Sequence, residues 1–204
     1  RRRSKAFCLF LAPSFLGVLL FVILPFGDVV RRSFTTAVTG KFNGIGNYQM
    51  IFTNEAFLLA VKNTIRFTVT GIPLLVVTGL VVALLLSNLK DAGWIKTLYL
   101  FPLAMPTATV VIVWKMFFTK QSLAILVLSY LWKNTGYTVV LWLAGILAIP
   151  KELPEAARVD GASGHQCFFR VMLPNLKGSL YTIVVLSFLN SFKIYREAYL
   201  VAGS

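Results

Sequence analysis

The chain has 204 residues and a formal net charge of +13, yet 57% of its residues are hydrophobic and only 13% are charged. A soluble domain carries roughly 25% charge, so a water-soluble globule is excluded. Nucleic-acid binding goes with it: the Lys and Arg residues stand mostly at the ends of apolar runs, where they reach headgroups, rather than in one patch.

A membrane helix takes about 20 mainly apolar residues, and five stretches supply them or nearly so. The first is roughly Ala6–Val30. It follows RRRSK, stays uncharged over the 22 residues Ala6–Gly27, and has no small-residue cleavage site, so it reads as a span rather than a signal peptide. The segment Arg31–Asn63 is polar and turn-rich. Within it Asn54 before Glu55 marks a helix start, and Phe57, Leu58 and Val61 share a face, which predicts a short amphipathic helix at the membrane surface. The second span is Ile65–Asn88, with Gly71 and Pro73 inside. The third is Thr97–Phe118, with Pro102, Pro106 and, close to its end, Lys115. The fourth is Leu123–Ile149, interrupted by Lys133. The fifth, Gly178–Phe192, has 15 uncharged residues and is extended by Lys177 and Lys193, whose side chains snorkel.

The fold class is therefore all-α, a polytopic transmembrane bundle. Pro73, Pro102 and Pro106 fit helices packed around a pathway, and they fit simple kinking for packing equally. With the N-terminus inside, the loops Ser87–Lys96 and Pro150–Lys177 are cytoplasmic. Ten of the 20 Lys and Arg residues then fall on that side, which leaves the N-terminal cluster Arg1, Arg2, Arg3 and Lys5 to set the orientation.

Chemistry-bearing motifs are scarce. Cys8 and Cys167 lack CxxC partners and His165 is the single histidine, which excludes a disulfide framework, an HExxH centre and a His-cluster metal site. The Gly-Lys pair Gly40-Lys41 is followed by Phe42 and lacks the preceding Gly of a phosphate loop. No catalytic residue and no metal ligand is assigned.

The one polar island among the later spans is Glu155–Pro174, EAARVDGASGHQCFFRVMLP. Glu152–Val159 favours helix, Asp160-Gly161 is a turn in which Gly accepts positive φ, and Ser163 caps a second helix, Gly164–Met172, ended by Pro174. Ala156 and Ala157 allow close backbone approach, and Phe168, Phe169, Val171 and Met172 offer apolar anchors.

The spacing EAA-x3-G-x9-V-x-LP resembles the EAA loop of permease subunits in binding-protein-dependent ABC importers, with Val171 where Ile is usual. IPKELPEAARVDGAS, FRVMLPNL, FLNSFKIYREAYLVAG, GIGNYQMIF and LWLAGILAIP look like carbohydrate-uptake permeases of the maltose type, so the resemblance covers nearly the whole chain. It implies a single permease domain over 1–204, with 150–177 as the cytoplasmic coupling loop, in the inner membrane of a bacterial or archaeal cell. It implies no cofactor in this chain, with ATP and Mg held by two partner ATPase subunits. It further implies a second, homologous permease subunit, a solute-binding protein on the outer face, and a sugar as cargo. By the same analogy Glu155, Ala156, Ala157, Asp160, Gly161, Phe168 and Pro174 make the coupling contact. The family core has six helices and a longer connection after the third than Thr119–Ser122. Residues missing near Lys120–Ser122 and a helix beyond Ser204 are therefore expected.

For the pathway, Lys133 stands beside Trp132, Asn134 and Tyr137, groups that suit sugar rings and hydroxyls. Either this cluster lines the pathway, or the helix begins near Lys133 and the residue marks the outer interface. Asn190, Ser191, Tyr195 and Trp114 are further pathway candidates, open equally to roles as interhelical glue or interfacial belt. The rival functions are a permease of the same type for polyamines, glycerol phosphates or an anion, and an ion-coupled secondary transporter, which needs membrane-embedded acids that these helices lack.

Overall fold

In hydrocarbon every backbone N–H and C=O must find its partner within the segment, so the apolar runs have helix as their outlet. The computed structural model describes residues 2–89, 101–102, 105, 109, 112–114, 116, 123–194 and 198–199. Most of the predicted third span Thr97–Phe118 lies outside them, as do Tyr195 and Lys120–Ser122. Apart from an isolated β-bridge between Thr35 and Phe42, the regular structure described is helical. The chain divides into two packed units, Arg1–Lys62 and Asn63–Ser204.

In the first unit, α1 (Arg2–Val18), a π-helical turn (Leu19–Ile23) and α2 (Leu24–Ser33) run on, and Phe10–Ser33 is long and apolar enough to cross a membrane. The π turn has a local cause. Pro25 brings no N–H to the carbonyl four residues back, and the ladder shifts register just before it, with Leu24 N–H donating to Leu19 O. The helix continues past the predicted Val30 to Arg31 and Arg32, both held by the Asp28 carboxylate at 2.8 and 2.6 Å. A tight turn follows, closed by Gly40 at φ +65° and by Asn43 N–H donating to Phe34 O at 2.7 Å. Asn47, on α3 (Gly46–Thr53), donates from Nδ2 to the Ser33 and Thr35 carbonyls at 2.9 and 2.7 Å and so ties this turn to the helix after it.

Asn54 acts as the predicted helix start, its Oδ1 accepting from Phe57 N–H at 3.1 Å. The short surface helix does not exist as a separate element, however. Its residues are the first turns of α4 (Glu55–Ser87), a single 33-residue helix. Nothing between Asn54 and Gly71 breaks a helix: the stretch holds neither Gly nor Pro, and Lys62 and Arg66 are good helix formers. At 1.5 Å per residue α4 is about 50 Å long, well beyond the roughly 30 Å of a hydrocarbon core.

The second unit packs the apolar part of α4 against α5 (Leu123–Leu147) and α9 (Lys177–Ser191). Three short helices and a π turn join these last two: α6 (Glu152–Val159), α7 (Gly164–Cys167), the π turn Phe168–Met172, and α8 (Leu173–Asn175). The buried face of α4 recurs every four residues through Phe67, Gly71, Leu75, Gly79 and Ala83, and ends at Leu86. Glycine is required at Gly79, where an added Cβ would run into Thr138 Cγ2 and lie 3.3 Å from Trp142 Cδ1. Trp142 is 1% exposed and donates from its indole N–H to Val76 O at 3.1 Å. The opposite faces carry exposed apolar side chains such as Val77, Val81 and Leu85, which suit lipid. Lipid tails are as apolar as Leu, so close van der Waals approach and interhelical hydrogen bonds hold such helices together, rather than the hydrophobic effect.

Candidate functional site

The polar island forms two helical arms that leave the membrane helices at sharp bends. α5 and α6 meet at 65°, and Gly164–Asn175 meets Lys177–Ile194 at 64°. Between the arms, Gly161 takes φ +84° with no atom within 4 Å of an added Cβ, and Ala162 N–H donates to Ala157 O at 2.9 Å. Ser163 caps α7 as predicted, in a reciprocal box: Ser163 Oγ accepts from Gln166 N–H at 3.3 Å and Gln166 Oε1 accepts from Ser163 N–H at 2.9 Å. Cys167 is buried, its thiol 3.9 Å from Pro154 O, and closes the two arms on each other.

The second arm does not stop at Pro174. Helix runs through it to Asn175, because the π turn ahead of it shifts the ladder, with Leu173 N–H donating to Phe168 O, much as Pro25 is accommodated. Glu155, Ala156, Asp160, Gly161 and Pro174 are exposed, while Ala157 and Phe168 are half-buried. Met172, expected as an outward anchor, packs inward on the core cluster of Trp142, Leu143 and Leu176. Val159, 88% exposed beside the turn, is an outward apolar group that sequence reasoning passed over. Ser163→Ala removes one half of the capping box and is expected to cost about 1 kcal/mol locally, seen as roughly fivefold faster hydrogen exchange at the Gln166 and Cys167 amides.

The intramembrane residues are brought together only in part. α5 starts at Leu123, well before Lys133, so Lys133 does not mark a helix end but stands half-buried within the helix. Asn134 is buried, its amide donating back to Tyr130 O at 2.8 Å, within its own helix. Tyr137 Oη lies 2.9 Å from Ser187 Oγ on α9. Asn190 Oδ1 accepts from Lys193 Nζ at 3.4 Å, and the Trp114 and Trp132 rings meet edge-on at 6.5 Å. The seam joining the helices depends on Tyr130, Ser187 and Thr68, which were not singled out before, together with Ser191, which was: Tyr130 Oη donates to Ser187 O at 2.7 Å, and Thr68 reaches Ser191 Oγ at 3.4 Å. The spacing of Ser187 and Ser191 was the available signal, two small polar groups four residues apart on one face of an apolar helix.

This arrangement defines a class: a polytopic membrane protein whose last two described membrane helices are joined by a projecting helix–turn–helix. Residues 75–204 match the family described as binding-protein-dependent transport system inner membrane component, and the chain belongs to that family. It is similar to the trehalose/maltose transport system permease protein MalF of Thermococcus litoralis, at 29% identity across 99% of this chain and 78% of the relative. It is also similar to the trehalose transport system permease protein SugA of Mycobacterium tuberculosis, at 27% identity across 98% of this chain and 74% of the relative. Its fold matches a chain in the crystal structure of a bacterial alginate ABC transporter in complex with alginate pentasaccharide-bound periplasmic protein. The TM-score is 0.73 at 21% identity, over 91% of this chain and 72% of that one. The protein is a multi-pass permease, a transport component and not an enzyme.

Proposed function

We propose that the permease forms half of the translocation pathway of an ATP-driven importer for a sugar or oligosaccharide, and that loop 150–177 seats on a cytoplasmic ATPase subunit. The observation that carries the coupling role is the loop's geometry: two arms continuous with α5 and α9 present Glu155, Ala156, Val159, Asp160 and Gly161 to the outside. A motion imposed on such a loop reaches both helices directly. The names of the relatives, which carry trehalose and maltose, support a carbohydrate cargo. In this reading a solute-binding protein delivers the sugar, a second homologous permease subunit completes the pathway, and ATP with Mg is bound by two ATPase chains. The cluster Arg1, Arg2, Arg3 and Lys5 supports a cytoplasmic N-terminus. The Thermococcus match runs over 231 residues, more than the 204 of this chain, which supports additional connecting residues in the relative.

The direct test is affinity purification of the tagged permease from its own membranes, followed by reconstitution and uptake of labelled trehalose and maltose. An ATPase subunit is expected to co-purify, and uptake is expected to need both ATP and the binding protein. Uptake of polyamine or glycerol phosphate in place of either sugar would overturn the carbohydrate assignment. Absence of any ATPase would overturn the importer reading.

A further inference from the structure

Two tyrosines of α5 hold one residue of α9. Tyr130 Oη donates to the Ser187 carbonyl at 2.7 Å, and Tyr137 Oη is 2.9 Å from the Ser187 hydroxyl. Ser187 has no exposed surface. The two tyrosines are seven residues apart, about two helical turns, so Ser187 is gripped through its main chain and its side chain by different levels of α5. Near the loop the same two helices touch again. An added Cβ at Gly145 would lie 3.1 Å from both Ser179 Cβ and Leu176 Cδ2, and Leu176 and Ile183 are fully buried there. These helices are also the ones that continue into the two arms of the polar loop.

We infer that Tyr130 and Tyr137 are positioning residues that make α5 and α9 a single lever, carrying a displacement of the loop across the membrane without letting one helix slide on the other. This rests on loop 150–177 being the ATPase contact. The physical reason lies in the cost of slip. Moving α9 along α5 by one residue, about 1.5 Å, would strain both bonds to Ser187 at once, and Ser187 and Tyr130 are buried away from water that could replace them.

The test uses the complete transporter in nanodiscs, with spin labels at Leu128→Cys and Leu189→Cys in a Cys8→Ser background. These two exposed positions lie on α5 and α9 near the tyrosine grip, and buried Cys167 is left in place. A separate Asp160→Cys variant is cross-linked to the ATPase subunit to check the contact itself. With that cross-link present, the label distance is expected to be the same with and without ATP plus vanadate. In Tyr130→Phe/Tyr137→Phe it is expected to change by about 3 Å, two residues of slip, while ATP-driven uptake of labelled trehalose falls about tenfold and the ATPase stays bound. A wild-type distance that shifts by that much, or a double variant that stays fixed, overturns the lever and leaves the loop assignment standing. Absence of the Asp160 cross-link overturns the loop assignment, and the lever with it.

Discussion

Gly161→Asp is expected to lower ATP-driven uptake by more than tenfold while the permease still folds and inserts. Two observations separate these outcomes. Gly161 sits at φ +84°, where a β-carbon is disfavoured by roughly 1–2 kcal/mol for most residues, though Asp and Asn visit this region more readily than others. Beyond its immediate chain neighbours nothing lies within 4 Å of that β-carbon, so the new side chain enters open space. Its charge and bulk would therefore be met by whatever docks on the turn. The informative comparison is Gly161→Asn, which accepts the same backbone shape and adds similar bulk without charge. If both variants melt within a few degrees of wild type and both lose co-purifying ATPase, docking is the cause. If both retain full uptake, the turn is not a contact surface.

The largest structural loss is expected from Gly79→Leu. A β-carbon there would run into Thr138 Cγ2, lie 3.1 Å from Thr138 Cβ, and crowd Trp142, whose ring is wedged against the Val76 carbonyl. Overpacking a tight core costs typically 1–3 kcal/mol, and here the backbones of α4 and α5 would have to part, so Gly79→Leu is expected to give little monodisperse protein after detergent extraction. Gly79→Ala offers a graded version: helix propensity improves by about 1 kcal/mol, but the clash outweighs it, and the thermal midpoint falls. Adding Thr138→Ser removes the offending methyl and is expected to recover part of that loss. Gly17→Ala, with open space around its position, serves as the insertion control and is expected to leave the midpoint unchanged or raised. Equal behaviour of Gly17→Ala and Gly79→Ala would show that α4 and α5 are not in close contact at this level.

Much of the polar loop 150–177 was legible in the residues themselves. The Asp160-Gly161 turn and the Ser163 cap follow from local rules, since a glycine in a left-handed turn and a serine ahead of a helix need only their nearest neighbours. The path of the chain through Pro174 was less legible. A proline costs a helix one backbone hydrogen bond, and the π turns at Leu19–Ile23 and Phe168–Met172 shift the ladder ahead of Pro25 and Pro174 so that the helix passes through. Met172 illustrates a further limit: an apolar residue in a polar loop reads as an anchor for a partner, yet here the arm folds back and buries it on the permease's own core.

The class of molecule, most of the apolar helices and the position of the polar helix–turn–helix could be read from the residues in chain order. Each of these follows from composition and short-range pattern, because hydrocarbon demands long apolar helices and turns demand particular residues. Which polar groups inside the membrane meet was decided by tertiary structure alone. Asn134 bonds within its own helix while Tyr130 and Tyr137 converge on Ser187, and Lys133 stands inside a helix rather than at its edge. That choice depends on the rotation of each helix against its neighbours. The rotation is set by close contacts such as Gly79 on Thr138 and Gly145 on Ser179, between residues far apart in the chain.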